Sequence, residues 1–355
     1  MMRRHSFAAL ALTALAVAGL ALGCSDTNAP LPDPEEVLLA VNSTANTLSI
    51  VPVEAPNSAV AVPLGGTTPT PTGVSAREGV AIVPLGLDNA VAVVDLRTAT
   101  VMRTIPLPEN SGATGSAIVD DSIAYVGNPN INTVSRINYL TGATSEVPAG
   151  VYPSGLIFTR GKVFVINANL DETFSPAGPS WLTVIDPSTN AAVAAGIDSI
   201  ALTGDGNASF AAVGSDGLLY VMNTGNFCSG EGRLSVVDPL AGTEVASFAG
   251  FGTYPGNVAA DADSRIFVSS YSQGVMEFNL DSNKVVRGAG QGVPIPSNAT
   301  VAVDSKGRVY GIETGPCSGG RVGKAHVLDA TLEETGTILL GECPVGSAVV
   351  QVPPE

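Results

Sequence analysis

Basic charge is scarce in this chain, histidine is nearly absent and tryptophan occurs once. The 355 residues carry 16 Lys and Arg against 32 Asp and Glu, a formal net charge of −16. Such a surface repels phosphate backbones and no basic stripe offsets it, so no nucleic-acid partner is expected. His5 lies near the start, which leaves His326 as the one histidine of the rest of the chain. His-based triads and multi-His metal sites are thereby excluded. No Gly-Lys-Ser/Thr phosphate loop occurs either. Charged residues make up 14 % of the chain while Gly and Pro number 40 and 25, a composition that suits short strands and many turns.

Arg3 and Arg4 precede an almost wholly apolar stretch over residues 7–22, and Gly23 then stands before Cys24. A basic start, an apolar centre of about 16 residues and a small-residue end mark a secretion signal, whereas a bilayer span needs roughly 20. The ending Ala21-Leu22-Gly23-Cys24 resembles the lipobox of bacterial lipoproteins, with Ala where the first box position usually holds Leu. That resemblance implies that Cys24 becomes the lipid-bearing first residue of the mature chain and its link to the membrane. Ser25 follows the Cys where an inner-membrane retention signal has Asp, which implies the outer membrane. Loss of residues 1–23 takes away Arg3 and Arg4 and no acid, so the charge moves from −16 to −18. Residues 24–36 carry Pro30, Pro32 and Pro34 among acidic neighbours and read as a tether. The expected organisation is a signal over 1–23, a tether over 24–36 and one repeating domain over 37–355.

Within that domain one unit recurs seven times, each with four short strands between Gly, Pro, Asn and Asp turns. Its clearest element is a short apolar run with a polar end, at 38–42, 123–128, 162–167, 218–223, 265–270 and 308–313, with a degenerate copy at 79–84. The starts lie 39 to 56 residues apart, within or near the period of a propeller blade. The expected fold is an all-β, seven-bladed β-propeller of four-stranded antiparallel blades, with strands A to D running outward. Third strands end in an apolar residue followed by Asp or Asn, as at Val94-Asp95, Ile185-Asp186 and Val237-Asp238, which suits an Asx-turn to the next strand. The first unit lacks an A strand and the last A-like run, 347–352, lacks a B strand. Joining the two completes the first blade and removes an open seam.

Tyr125-Val126-Gly127-Asn128 with Asn132-Thr133-Val134-Ser135, residues 180–186 followed by Pro187-Ser188-Thr189, and the Pro-x-Gly elements before A strands resemble the YVTN type of propeller repeat, related to NHL repeats. The resemblance spans essentially all of 37–352 and implies a fold, with little about chemistry. Trp181 stands alone, so the recurrent tryptophan of quinone-binding eight-bladed propellers is missing.

Up-and-down order puts the B–C loops and the D–A turns on one face. The ends of the B strands form a ring of Asn42, Pro84, Asn128, Asn167, Asn223, Ser270 and Glu313. Asn169, Asp171 and Glu172 in the long insert 168–180 lie nearby, with Tyr152 and Tyr254 from the D–A turns. Two readings stand for the ring: its oxygens converge on the channel and hold a hard cation such as calcium, or each Asn satisfies its own turn. Cys317 and Cys343 share one blade's loop end, and a disulfide between them is the expected pairing in an exported chain. A bond from Cys228 to either is the alternative, and a three-thiolate metal site is the third. Two function classes follow. One is a lipid-anchored, monomeric binding module that meets an envelope protein, a glycan or a small polar ligand through Asn128, Asn167, Asn169, Asp171, Asn223 and Glu313. The other is a calcium-dependent hydrolase or lactonase of the gluconolactonase-like kind, which Glu313 and the Asn ring resemble loosely.

Overall fold

The computed structural model describes residues 33–193, 199–227 and 230–354. The signal segment and Cys24 lie outside them, as does Cys228. The chain divides into two compact units, Met1–Asp33 and Pro34–Glu355, and all described residues but Asp33 belong to the second. That unit is a closed ring of seven antiparallel sheets. Among the described residues the only helical turns are two short 3₁₀ turns, Pro56–Ser58 and Pro129–Ile131.

The B strands fall where the apolar runs place them, for example Ile123–Asn128, Lys162–Asn167 and Val309–Glu313. They read as unbroken apolar runs because both faces are buried. In the first blade Leu38 and Ala40 pack with Tyr310 and Ile312 of the seventh blade, whereas Leu39 and Val41 pack with Ala81 and Val83 of the second. Period-two alternation thus sends successive side chains to opposite neighbours. Each apolar cluster lies between two blades, so no blade has a core of its own.

The closing strand, Pro344–Val352, is the A strand of the first blade. It pairs antiparallel with Glu35–Asn42, from Glu35 opposite Val352 to Ala40 opposite Ser347, with a bulge at Val41/Asn42. The B strand therefore begins at Glu35, two residues before the domain boundary expected from the sequence. Glu36 also accepts hydrogen bonds from the backbone and hydroxyl of Ser305, tying the first blade to the seventh.

Glycines let the inner strands approach one another at the centre of the ring. A Cβ on Gly115 would stand 2.5 Å from the Ser154 carbonyl oxygen, and one on Gly155 would run into that of Ser209. The blade 4 sheet has five strands, because its outer edge is shared by Ala191–Ala192 and Ser199–Ala201 on either side of residues 194–198.

Candidate functional site

The asparagines of the ring bond to their hairpins and to the crossovers beside them. Asn42 is fully buried; its amide donates to Thr47 Oγ1 and Ser49 Oγ at 2.9 Å, and its oxygen accepts the Gly341 N–H. Asn167 repeats the pattern, donating to Thr183 Oγ1 at 3.0 Å and to the Trp181 carbonyl while accepting the Gly150 N–H at 2.9 Å. Each of these two side chains closes its own B–C hairpin and grips the crossover arriving from the preceding blade. Gly150 and Gly341 are required there, since a Cβ on either would meet the Asn side chain at 2.5 Å. Asn128 donates to Thr133 and Ser135, and Asn223 to the Thr203 carbonyl, while both amide oxygens lack a partner. Asn128, Asn167 and Asn223 are buried; Asn128 and Asn167 bond across their own hairpins, as in the turn-satisfying reading, whereas Asn223 bonds to the crossover at Thr203.

A second asparagine set, not singled out in the sequence, holds the crossovers from the other side. Asn46, Asn89 and Asn132 each precede a C strand with positive φ. Asn132 accepts the Tyr152 N–H at 2.9 Å, and Asn89 accepts from Ser111 and Gly112. Asn tolerates the left-handed region, which explains its recurrence before these strands.

Asn169 and Asp171 build the long insert. Asn169 donates to the Pro179 carbonyl at the base of the loop, and Asp171 at its tip accepts from Thr173 N and Oγ1 and from Ser175 N. The Thr173 hydroxyl and the two backbone N–H groups hold the Asp171 carboxyl below the usual carboxylate range. The loop they brace projects Phe174, which has φ +60° and is 59 % exposed. Its ring meets Tyr152 edge-on, with centroids 6.0 Å apart.

Phe174 is one of several exposed apolar residues on this face. Leu87 is 61 % exposed and Tyr271 54 %. Phe227 stacks on Tyr254 with centroids 5.4 Å apart. Every exposed aromatic among the described residues, namely Phe174, Phe227, Tyr254 and Tyr271, lies on the B–C side. On the opposite turns the exposed large apolar residues are Leu140 and Leu240. Only Tyr152 and Tyr254 are singled out in the sequence; Leu87, Phe174, Phe227 and Tyr271 carry no pattern of their own, and the phase of the repeat is the signal that would have placed them.

Two joined cavities open on this face. A mouth of about 410 Å³ over blades 2 to 5 is bordered by Leu87, Asn130, Tyr152 and Phe174. It leads to a channel of about 220 Å³, and the two share Thr72, Thr114, Ser154, Ser209 and Phe210. Hydroxyls recur around the channel between neighbouring blades, with Thr300 and Ser347 at 2.8 Å and Asn257 donating to Thr300 at 2.7 Å.

Glu313 does not join an oxygen cluster. Its carboxylate lies 3.2 Å from Lys324 Nζ and 2.9 Å from His326 Nε2, and His326 Nδ1 faces Glu334 at 3.1 Å. Burial pushes the Glu313 carboxyl up, but hydrogen bonds from His326 and Lys324 outweigh it and hold the group below its ordinary value. Among the described residues no group of three or more His, Cys, Asp and Glu is placed to hold a metal ion. Of the ring's oxygens, the Asn128 and Asn223 amide oxygens lack a partner, whereas the one carboxylate, Glu313, is paired with Lys324 and His326.

Cys317 and Cys343 form a disulfide. It links the B–C loop of the seventh blade to the crossover that enters the closing strand.

No family model matches the chain, and no curated protein does. Among solved structures the chain is similar to Kuenenia stuttgartiensis hydrazine synthase, with a TM-score of 0.64 at 16 % identity, covering 79 % of this chain and 90 % of that one. The likeness is one of fold. The β-propeller architecture is shared, and at this identity the comparison carries no chemistry.

Proposed function

We propose that this chain is a lipid-anchored β-propeller of the bacterial cell envelope, of the YVTN and NHL kind, that captures a partner through its B–C loop face. The observation that carries this reading is the gathering of all exposed aromatics of the described residues on that one face, with Phe174 at the mouth of the channel. Exposed aromatic side chains, each an apolar body with or without a polar tip, are what interaction surfaces are rich in. Acids of the opposite face are instead tied into the fold, as Asp186 is to Lys162, Asp261 to Arg265 and Glu54 to Arg308. Scaffolded loops are also where function commonly sits. The lipobox-like segment ending at Cys24 supports the anchor, and the outer membrane is its proposed address.

The test uses the full chain in its host envelope, crosslinked and recovered. Leu87→Asp with Tyr271→Asp should lose the captured partner, whereas Leu140→Asp with Leu240→Asp on the opposite turns should keep it, and Cys24→Ser should free the protein from the membrane. Loss confined to the opposite-turn variant, or unchanged membrane retention of the Cys24→Ser chain, would overturn the corresponding half of the reading.

A further inference from the structure

The geometry points to the funnel formed by mouth and channel as a binding site for a neutral saccharide, with Phe174 and Tyr152 as its stacking platform. This inference rests on the loop-face reading above and names the ligand that the face takes.

The acidic net charge of the chain stops at the funnel. No Asp, Glu, Lys, Arg or His lines either cavity, so neither a cation nor an anion finds a counter-charge within. What lines it instead is hydroxyl, amide and aromatic. The side chains of Thr72, Asn130 and Ser209 take part in no hydrogen bond among the described residues, which leaves donors and acceptors turned to the cavity. Sugars offer the complement, a ring of hydroxyls at the edge and an apolar C–H face that packs on an aromatic ring. The joined volume falls within the range of about 300–1,000 Å³ usual for small-ligand sites.

Phe174 supplies the second, independent argument. A bulky side chain in the left-handed region costs about 1–2 kcal/mol, and 59 % of this one faces solvent, so folding gains little from it. Tyr152, at φ +55°, is held in the same region by the Asn132 side chain and meets Phe174 edge-on. Positive φ at the residue before the A strand recurs at Asn207, Tyr254, Ser297 and Cys343, so for Tyr152 it belongs to the crossover. Phe174 has no such counterpart. Strain kept at an exposed ring over a cavity mouth is an outlier that points to use.

The experiment titrates the full chain with maltohexaose, cellohexaose and chitohexaose and reads melting temperature and tyrosine fluorescence. At least one sugar should saturate both signals. Phe174→Asn removes the ring while keeping a residue that accepts the left-handed backbone, so it should melt at or above the wild type yet bind about tenfold more weakly. Failure of all three sugars, or equal affinity of Phe174→Asn, overturns the saccharide site. A hexalysine peptide is titrated in parallel. Its binding where the sugars fail would also overturn the saccharide site, assigning recognition to acidic side chains of the loop face such as Asp171 and Glu172, and the loop-face reading would survive on the crosslinking result alone.

Discussion

Asn167 holds two pieces of chain with one side chain, its own hairpin through the amide and the preceding crossover through the oxygen. Removing it leaves the half-buried Gly150 N–H without an acceptor, a loss of up to about 1–3 kcal/mol beyond the hydrogen bonds themselves. Asn128 makes the hairpin bonds but its oxygen has no partner. Asn167→Ala should therefore lower stability by about 2–3 kcal/mol, and Asn128→Ala by clearly less. Urea denaturation at constant slope measures both, and equal losses would show that the crossover grip contributes nothing.

Between elements, the inner strands meet backbone to backbone, and Gly155 is the tightest such point, where Ser209 leaves no room for a methyl group. Gly155→Ala should cost about 1–3 kcal/mol through forced separation of blades 4 and 5. An unchanged melting curve would mean that the strands part freely. The B strands are legible in the sequence because burial on both faces writes them as apolar runs, and the phase of the repeat is enough to place the closing strand. The direction of a polar side chain is not written in that way. Asn128 and Asn167 sit at the expected positions, yet whether an amide turns to the channel or to its hairpin depends on Thr133 or Thr183 across the strand pair. Phe174 is less legible still. Its exposure is set by Asp171 and Asn169 folding a loop around it, which no periodicity reports. The Cys317–Cys343 bond is legible only after the repeat has been phased, since 26 residues separate the two.

For the whole ring, closure depends on nine residues at the end of the chain. Deleting residues 347–355 strips the pairing of residues 35–40 and uncovers Leu38 and Ala40. A frayed surface tail costs within about 0.5 kcal/mol, whereas this cut should remove a large part of the roughly 5–15 kcal/mol that holds a domain. A truncated chain that melts with the intact one would refute the closure. The disulfide fixes the crossover just ahead of that strand, so it holds the seam in register without lying in it. Glu35 and Val352 are partners in the sheet although nearly the whole chain lies between them. A ribosome therefore releases the first strand long before its mate exists. Until the closing strand emerges, the growing chain exposes two unpaired strand edges, which are templates for pairing with other chains. Arrival of the closing strand, and not the formation of any single blade, is the moment at which this ring becomes safe from its neighbours.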